Sequence, residues 1–365
     1  MAFEKVGFIG LGLIGGSIAK KLKSNLPDCT ILATAGHKET IETAYREGII
    51  VNSSLLELSD FRDCDHIFLC APVNKNIEYL AGLKPVIRKD CIITDVGSTK
   101  SEIHKAVTAL GLDHNFIGGH PMTGSEHTGI TNANVSILEN AYYIITPTAH
   151  TASRSLGEFR DFVKSLGSIP LVLGCEEHDY ATASISHLPH MIAFSLVNLV
   201  QEIDDEQEIM KTIAAGGFRD ITRVASSSPV MWENICASNR DQIVKLMDLY
   251  MEKFSYLRGL LVDYDSDRIM DFFQSAKNYR DSMFIPGRKT ASSVYEIYLD
   301  LVDEAGEIAI IANLLAYKGV SIKNIGIIHN REFEEGVLRV EFYDQTALDH
   351  AIVILEERNY KVYKR

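Results

Sequence analysis

Residues 10–15, Gly10-Leu11-Gly12-Leu13-Ile14-Gly15, come directly after the apolar run Lys5–Ile9 and open an amphipathic stretch from Leu13 to Lys23. A GxGxxG between a strand and a helix constrains the fold more than any bulk property of the chain. The first glycine permits a tight turn, the second lets backbone approach a pyrophosphate, and the third lets helix pack on strand. The helix start then offers amide donors and partial positive charge to phosphate oxygens. The pattern predicts a Rossmann-like dinucleotide site made by Gly10, Leu11, Gly12, Leu13, Ile14 and Gly15.

The next 160 or so residues fit a doubly wound α/β domain. Thr30–Thr34, Asp65–Cys70 and Cys91–Asp95 read as further strands with helical stretches between them, implying a mostly parallel sheet covered by helices. Ala141–Thr146 and Pro170–Leu173 read as late strands that close the domain. About 20 residues beyond the glycine turn, an acidic residue ordinarily holds the ribose 2′-hydroxyl. Here the second strand ends Ala33-Thr34-Ala35-Gly36-His37-Lys38, without a carboxylate. Small residues at Ala35 followed by His37 and Lys38 leave NADP open beside NAD.

At roughly 150 residues per domain, a chain of 365 residues has room for two or three. Apolar residues at 46% and charged residues at 23% exclude a disordered or fibrous chain. A net charge of −13 argues against a nucleic-acid binder with a broad basic surface. Six cysteines without CxxC or Cys/His spacing predict neither structural zinc nor a disulfide framework, and no metal site is expected. No signal peptide precedes the first strand and no uninterrupted apolar run approaches ~20 residues. The cytoplasm, and no membrane, is the expectation.

The texture changes near Glu177. Segments 177–203, 206–215, 240–261 and 266–282 carry apolar residues at helical spacing. Segment 177–203 is apolar around most of its circumference, which predicts burial, with a second subunit as one cover. Pro189 inside it predicts a kink. Residues 286–289, Pro-Gly-Arg-Lys, read as a linker. Beyond it Val294–Val302, Ile322–His329, Gly336–Tyr343 and Tyr360–Tyr363 read as strands, with helices over Glu307–Tyr317 and Ala347–Glu357. That βαββαβ order is the order of a small ferredoxin-like domain. The boundaries are 1–172 for the dinucleotide-binding domain, 173–286 for an all-helical part and 293–365 for the last domain.

Three segments hold the candidate chemistry. Gly119-His120-Pro121-Met122-Thr123-Gly124-Ser125-Glu126 continues from the apolar Phe116-Ile117, so His120 falls near the carboxyl edge of the sheet, where ligands bind. An imidazole there can take a proton near neutral pH, as oxidation of an alcohol requires. Asp95-Val96-Gly97-Ser98 ends the preceding strand and can bring a hydroxyl beside it. Ser186-His187-Leu188-Pro189-His190 sets two histidines at i and i+3, and core histidines bonded to backbone carbonyls would show the same spacing. Gly216 to Arg223 supplies Arg219 and Arg223, either of which can clamp a carboxylate or sit in a surface ion pair. Spacing alone does not separate catalytic from structural roles here.

Together GLGLIGGS, DVGSTK, GGHPMTGSE, SHLPH and GGFRDITRVASSSPVMW, in this order, resemble the prephenate dehydrogenases of tyrosine biosynthesis over residues 5 to about 285. The last ~70 residues are similar to an ACT domain, an amino-acid-sensing module. The resemblance implies an α/β Rossmann-like domain, an all-helical dimerisation domain and a regulatory βαββαβ domain. It implies oxidative decarboxylation of prephenate to 4-hydroxyphenylpyruvate with NAD or NADP, a homodimer, and L-tyrosine as feedback effector. It assigns His120 as proton acceptor, Ser98 as its neighbour at the substrate hydroxyl, and Arg223 as the carboxylate anchor. His190 would line the pocket, Glu126 and Asp220 its mouth, and Gly216 and Trp232 a wall shared between subunits.

Three other readings carry weight. Arogenate dehydrogenase differs only in an amine on the substrate side chain. A 3-hydroxyacid dehydrogenase shares the architecture but relies on a catalytic lysine, against which SHLPH and FRDITR stand. A catalytically silent amino-acid sensor would not need His120, Ser98 and Arg223 together.

Overall fold

A computed structural model describes residues 3–124, 128–283, 295–301, 306–328 and 336–363. The chain divides into two units, Met1–Ser255 and Tyr256–Arg365.

In the first unit, β1 (Lys5–Ile9), α1 (Leu13–Asn25), β2 (Thr30–Thr34), α2 (Lys38–Arg46), β3 (His66–Leu69), α3 (Val73–Leu83), β4 (Ile92–Asp95) and α4 (Ser101–Leu110) alternate along the chain. The strands form a parallel sheet in the order β2-β1-β3-β4. Side chains alternate across it, so each strand feeds two cores. Val6, Phe8, Ile31 and Phe68 meet Ile18 and Leu22 of α1 and Ile41 of α2 on one face. Ile9, Ile67, Leu69 and Ile93 meet Leu80 of α3 and Ile103 and Val107 of α4 on the other. Burial on both faces explains the near-continuous apolar runs of these strands, each large side chain contributing about 1.5–3 kcal/mol.

The late strands do not extend this sheet. β5 (Ile117–Pro121), β6 (Tyr142–Pro147) and β7 (Ile169–Val172), with α5 (Ser153–Ser165) before β7, make a separate sheet in the order β5-β6-β7. β5 and β6 run antiparallel while β6 and β7 are parallel, and one bridge, Ile93 to Phe116, ties this sheet to β4. Despite its Gly-Gly-His-Pro composition, the segment through Pro121 is strand, because β6 holds it residue by residue with His120 opposite Ile144.

The helical part starts with α6 (Cys175–Thr182), a π turn over Ala183–His187 and α7 (Leu188–Ile203). Pro189 occupies the first turn of α7, where its missing N–H costs nothing, and the disturbance expected of it is the π turn just before. The expected burial of 177–203 is not met within the chain. Of α7 only Ala193 is buried, and Ile185, Leu199 and Ile203 are exposed, because one side alone of the apolar circumference is packed. α8 (Ile209–Ile213), α9 (Gly216–Thr222), α10 (Pro229–Ser238) and α11 (Arg240–Asp263) come next.

The second unit contains α12 (Ser266–Ser282), β8 (Tyr295–Leu301), α13 (Glu307–Tyr317), β9 (Ile322–Ile328), β10 (Gly336–Phe342), α14 (Gln345–Glu356) and β11 (Val362–Tyr363). Its strands form an antiparallel sheet in the order β11-β8-β10-β9. One face packs Ile297, Leu299, Leu338 and Val340 against Ile311 and Leu315 of α13 and Ala351 and Leu355 of α14. The linker expected at 286–289 lies outside the described residues.

Candidate active site

The glycine turn is shaped by close approach. Gly10 has φ +93°, and a Cβ there would lie 2.7 Å from the Cys70 carbonyl carbon and 2.8 Å from the Ala71 nitrogen. A Cβ at Gly15 would meet the Gly10 oxygen at 2.7 Å and Cys70 Cβ at 2.9 Å, so α1 packs directly on the end of β3. Gly12 is different: no atom lies within 4 Å of its Cβ position, and no side chain caps the helix there. The first-turn amides of α1 thus face open space, which suits a pyrophosphate. Leu11 is buried beneath the turn, Leu13 and Ile14 open the helix, and half-buried Ala35 comes just after β2.

His120, half-buried on β5, is the start of a chain of polar contacts. Its Nδ1 lies 2.8 Å from Nε2 of His178, and His178 Nδ1 lies 2.8 Å from Oδ1 of Asp179. Both partners are buried on α6. The Asp179 carboxylate also accepts the backbone N–H groups of Lys100 and Ser101, each at 2.7 Å, at the start of α4. Burial opposes its ionisation, yet bonds from His178, Ser101 and Lys100 hold its carboxyl below the usual carboxylate range. Burial, His178, Lys100 and His187 all push the His120 pKa down.

Asp95 holds this corner together from below. Its carboxylate accepts the N–H of Gly97 at 2.9 Å and of Gly119 at 3.3 Å, and bonds the ammonium of Lys100. Asp95 and Lys100 are both fully buried. Burial lowers the Lys100 pKa while Asp95 opposes that shift. A Cβ at Gly119 would lie 2.7 Å from the Tyr143 hydroxyl and 2.8 Å from the Asp95 carbonyl oxygen, so β5 can sit this close only with glycine beside His120.

Ser98 lines a crevice of about 300 Å³ with Ala71, Pro72 and Gly97 on the sheet side and Met231, Asn234 and Ser238 of α10 opposite. Thr99 Oγ1 donates to Ser238 Oγ at 3.0 Å and joins the two walls. Deeper in the helical part, His190 stacks on Trp232 with ring centroids 3.9 Å apart, and its Nδ1 donates to the Ser186 carbonyl at 2.8 Å. His187 meets the same indole edge-on at 5.9 Å. Asn239 Nδ2 lies 3.2 Å from His187 Nδ1 and donates to the Asp179 carbonyl at 2.9 Å. Arg223, exposed just after α9, lies near enough to His190 that its charge helps lower that ring's pKa, after burial.

Most sequence-derived candidates therefore converge within one unit. His120 reaches His178, Ser98 lines the crevice, His190 and Trp232 stack together, and Arg223 lies beside His190. Trp232 is buried at 5% exposure against histidines of its own chain. Gly216 begins α9 and is half-buried, and Asp220 on the same helix is exposed. Glu126 lies outside the described residues. His178, Asp179 and Asn239 were not among the sequence candidates. Adjacent positions on a helix do not share a face, so no spacing rule marks His178 and Asp179 as a pair.

Known proteins resemble this chain over most of its length. A family model described as prephenate dehydrogenase, nucleotide-binding domain, matches residues 18–169, and one described as prephenate dehydrogenase, dimerization domain, matches 174–275. The prephenate dehydrogenase of Bacillus subtilis is 35% identical over 351 residues, covering 96% of this chain and 95% of that protein. That of Lactococcus lactis is 33% identical over 358 residues, covering 97% and 98%. The crystal structure of prephenate dehydrogenase from A. aeolicus in complex with hydroxyphenyl propionate and NAD+ superposes with TM-score 0.73 at 28% identity. It covers 78% of this chain and 99% of that one.

Proposed function

This chain belongs to the prephenate dehydrogenase family, and we propose that His120 is the group that accepts the proton of the substrate's ring hydroxyl. The enzyme oxidises prephenate to 4-hydroxyphenylpyruvate, with loss of carbon dioxide and reduction of NAD. NAD, held by the turn Gly10 to Gly15, supplies the hydride acceptor. The observation that carries the role of His120 is its position at the end of β5, with one ring nitrogen engaged by His178. The other nitrogen is left for the substrate. A base whose pKa is held low stays unprotonated at neutral pH and is ready to accept.

The remaining roles rest on charge and placement. Ser98 in the crevice donates to or accepts from the same hydroxyl. Arg223 pairs with a substrate carboxylate, its planar guanidinium suited to two parallel bonds. His190 and Trp232, with ring centroids 3.9 Å apart, line the pocket. Asp220 flanks the mouth and Gly216 leaves it room. Ala35 borders the adenosine ribose. Loss of carbon dioxide and gain of aromaticity drive the reaction, so the protein needs only orientation, a base and cationic recognition.

His120→Asn is expected to lower kcat by about 10²–10⁴, the range for a lost acid–base group, with KM little changed. Arg223→Ala is expected to raise KM far more than it lowers kcat. Near wild-type turnover in the first variant ends the assignment of His120. An unchanged KM in the second moves the anchor elsewhere.

The wider organisation accords with the same reading. Residues 1–172 bind the dinucleotide, 173–286 complete the substrate pocket and pair two subunits, and 293–365 form an ACT-like regulatory domain. The exposed Ile185, Leu199, Ile203 and Val230 support a homodimer, since large apolar side chains left open in one chain call for a cover. The sheet order β11-β8-β10-β9 supports the ACT-like reading, and Gly306, with φ +104°, opens α13 where the backbone of an effector amino acid can dock. L-tyrosine is the effector this reading names.

A further inference from the structure

The contacts of Asp179 determine where each proton lies along the chain of imidazoles. Two of its bonds come from backbone N–H groups, Lys100 and Ser101, which can only donate. Asp179 is therefore an acceptor throughout, and the start of α4 favours its negative charge. His178 Nδ1, 2.8 Å away, must carry the hydrogen of that contact. In a neutral His178 the Nε2 is then bare. The 2.8 Å contact to His120 requires a hydrogen, and the only atom left to bring it is His120 Nδ1. His120 Nε2 is bare in turn.

We infer that His178 and Asp179 are positioning residues that hold His120 in its Nδ1–H tautomer, so that Nε2 presents its lone pair to the substrate hydroxyl. This rests on His120 being the base and says how it is made ready. The device is built across the fold: His120 stands on β5, while its orienters stand on α6 and are tied to the first amides of α4. Asn239, at the junction of α10 and α11, donates to the Asp179 backbone and keeps α6 in place.

The proton balance is simple. Nε2 of His120 takes the proton of the hydroxyl, and the carbon that bears the hydroxyl gives up its hydride, for which NAD would be the acceptor. His120 becomes an imidazolium whose Nδ1–H still points at His178 Nε2. Groups that face the pair from every side are Lys100 before α4, His187 in the π turn, Thr182 one turn along α6, and Asp179. Asp179 is the anion among them, and it lies behind His178 rather than against His120. The new charge on His120 is thereby stabilised through His178, with the tautomer already correct before the substrate binds.

Two substitutions and one spectrum test this. His178→Leu removes the acceptor and frees both tautomers, and kcat is expected to fall about 10²-fold with KM for prephenate little changed. His178→Gln keeps an acceptor for Nδ1–H without a titratable ring and is expected to restore most of that loss. Nitrogen NMR of the full-length enzyme with labelled histidine, assigned by loss of the signal in His120→Asn, is expected to show Nδ1 of His120 protonated. Equal, near wild-type rates in the Leu and Gln variants overturn the inference, as does a wild-type spectrum with the hydrogen on Nε2. His120→Asn separates the two levels. If it turns over normally, the base assignment itself has failed. If it is impaired while His178→Leu is not, only the positioning role has.

Discussion

Two ion pairs, one in each unit, show how differently the same chemistry is used along this chain. Lys100 and Asp95 in the first unit are both without solvent exposure, and the carboxylate also takes two backbone N–H groups. In the second unit Arg339 meets Glu296 of the adjacent strand at 3.1 Å, with 36% and 22% of their side chains exposed, and also bonds Glu341 of its own strand. Exposed pairs are screened and contribute little, whereas a buried charge stripped of its partner is costly. The first unit is therefore built around polar groups that must all be satisfied together. The second is an amphipathic sheet whose charges lie at the edge of an apolar core. The polar cost is concentrated where protons move.

That contrast can be broken most severely with acid. Burial lowers the pKa values of His66 and His187, both in the first unit, to about 4. Each binds its proton more readily once unfolded, near pH 6.5, so their contribution is complete above that value and is lost as pH falls toward 4. At ~1.36 kcal/mol per pKa unit the loss is about 3 kcal/mol apiece. Fluorescence of Trp232, the only tryptophan, reports the first unit and is expected to show destabilisation over this window. A flat profile between pH 6.5 and 4 would contradict the burial argument.

Lys100→Met comes next. It leaves Asp95 buried without its cation and is expected to destabilise the first unit by about 3–5 kcal/mol in urea unfolding. A change below ~1 kcal/mol would mean that the amides of Gly97 and Gly119 suffice alone. Removing the part of the second unit that follows α12 should cost the reaction little. Truncation near Gly287 is expected to keep dehydrogenase activity, since a relative matched over 99% of its own chain covers 78% of this one. Under the proposal that the C-terminal domain is a tyrosine sensor, the same truncation abolishes tyrosine inhibition, a coupling typically of ~1–3 kcal/mol. Undiminished inhibition would place the tyrosine effect in the active site. Smallest of all, Glu296→Gln, which leaves Arg339 its bond to Glu341, should change stability by about 0.2–1 kcal/mol. A larger loss would erase the difference between the two pairs.

Features that depend on local period and local sterics were readable from the order of amino acids alone. Alternation of apolar runs and amphipathic helices specified the parallel sheet, because strands buried on both faces must be apolar throughout. Gly10, Gly12 and Gly15 were legible as a spaced motif, although the close approach to Cys70 that Gly10 and Gly15 permit, and the open space beside Gly12, appear only in the fold. The motifs around Ser98, His120, His190 and Arg223 supplied the candidates that the first unit holds. The exposed face of α7 was not legible, since apolar composition says that a surface will be covered but not by what. Nor did any pattern pair Lys100 with Asp95, set His178 against His120, or carry the Asp179 carboxylate to the start of α4. Those contacts join residues 58 to 79 positions apart, or close a buried turn, and their energies come from exclusion of water and from donors fixed by other elements. Which lone pair a histidine offers is settled by packing in three dimensions, because a tautomer is set by its neighbours in space.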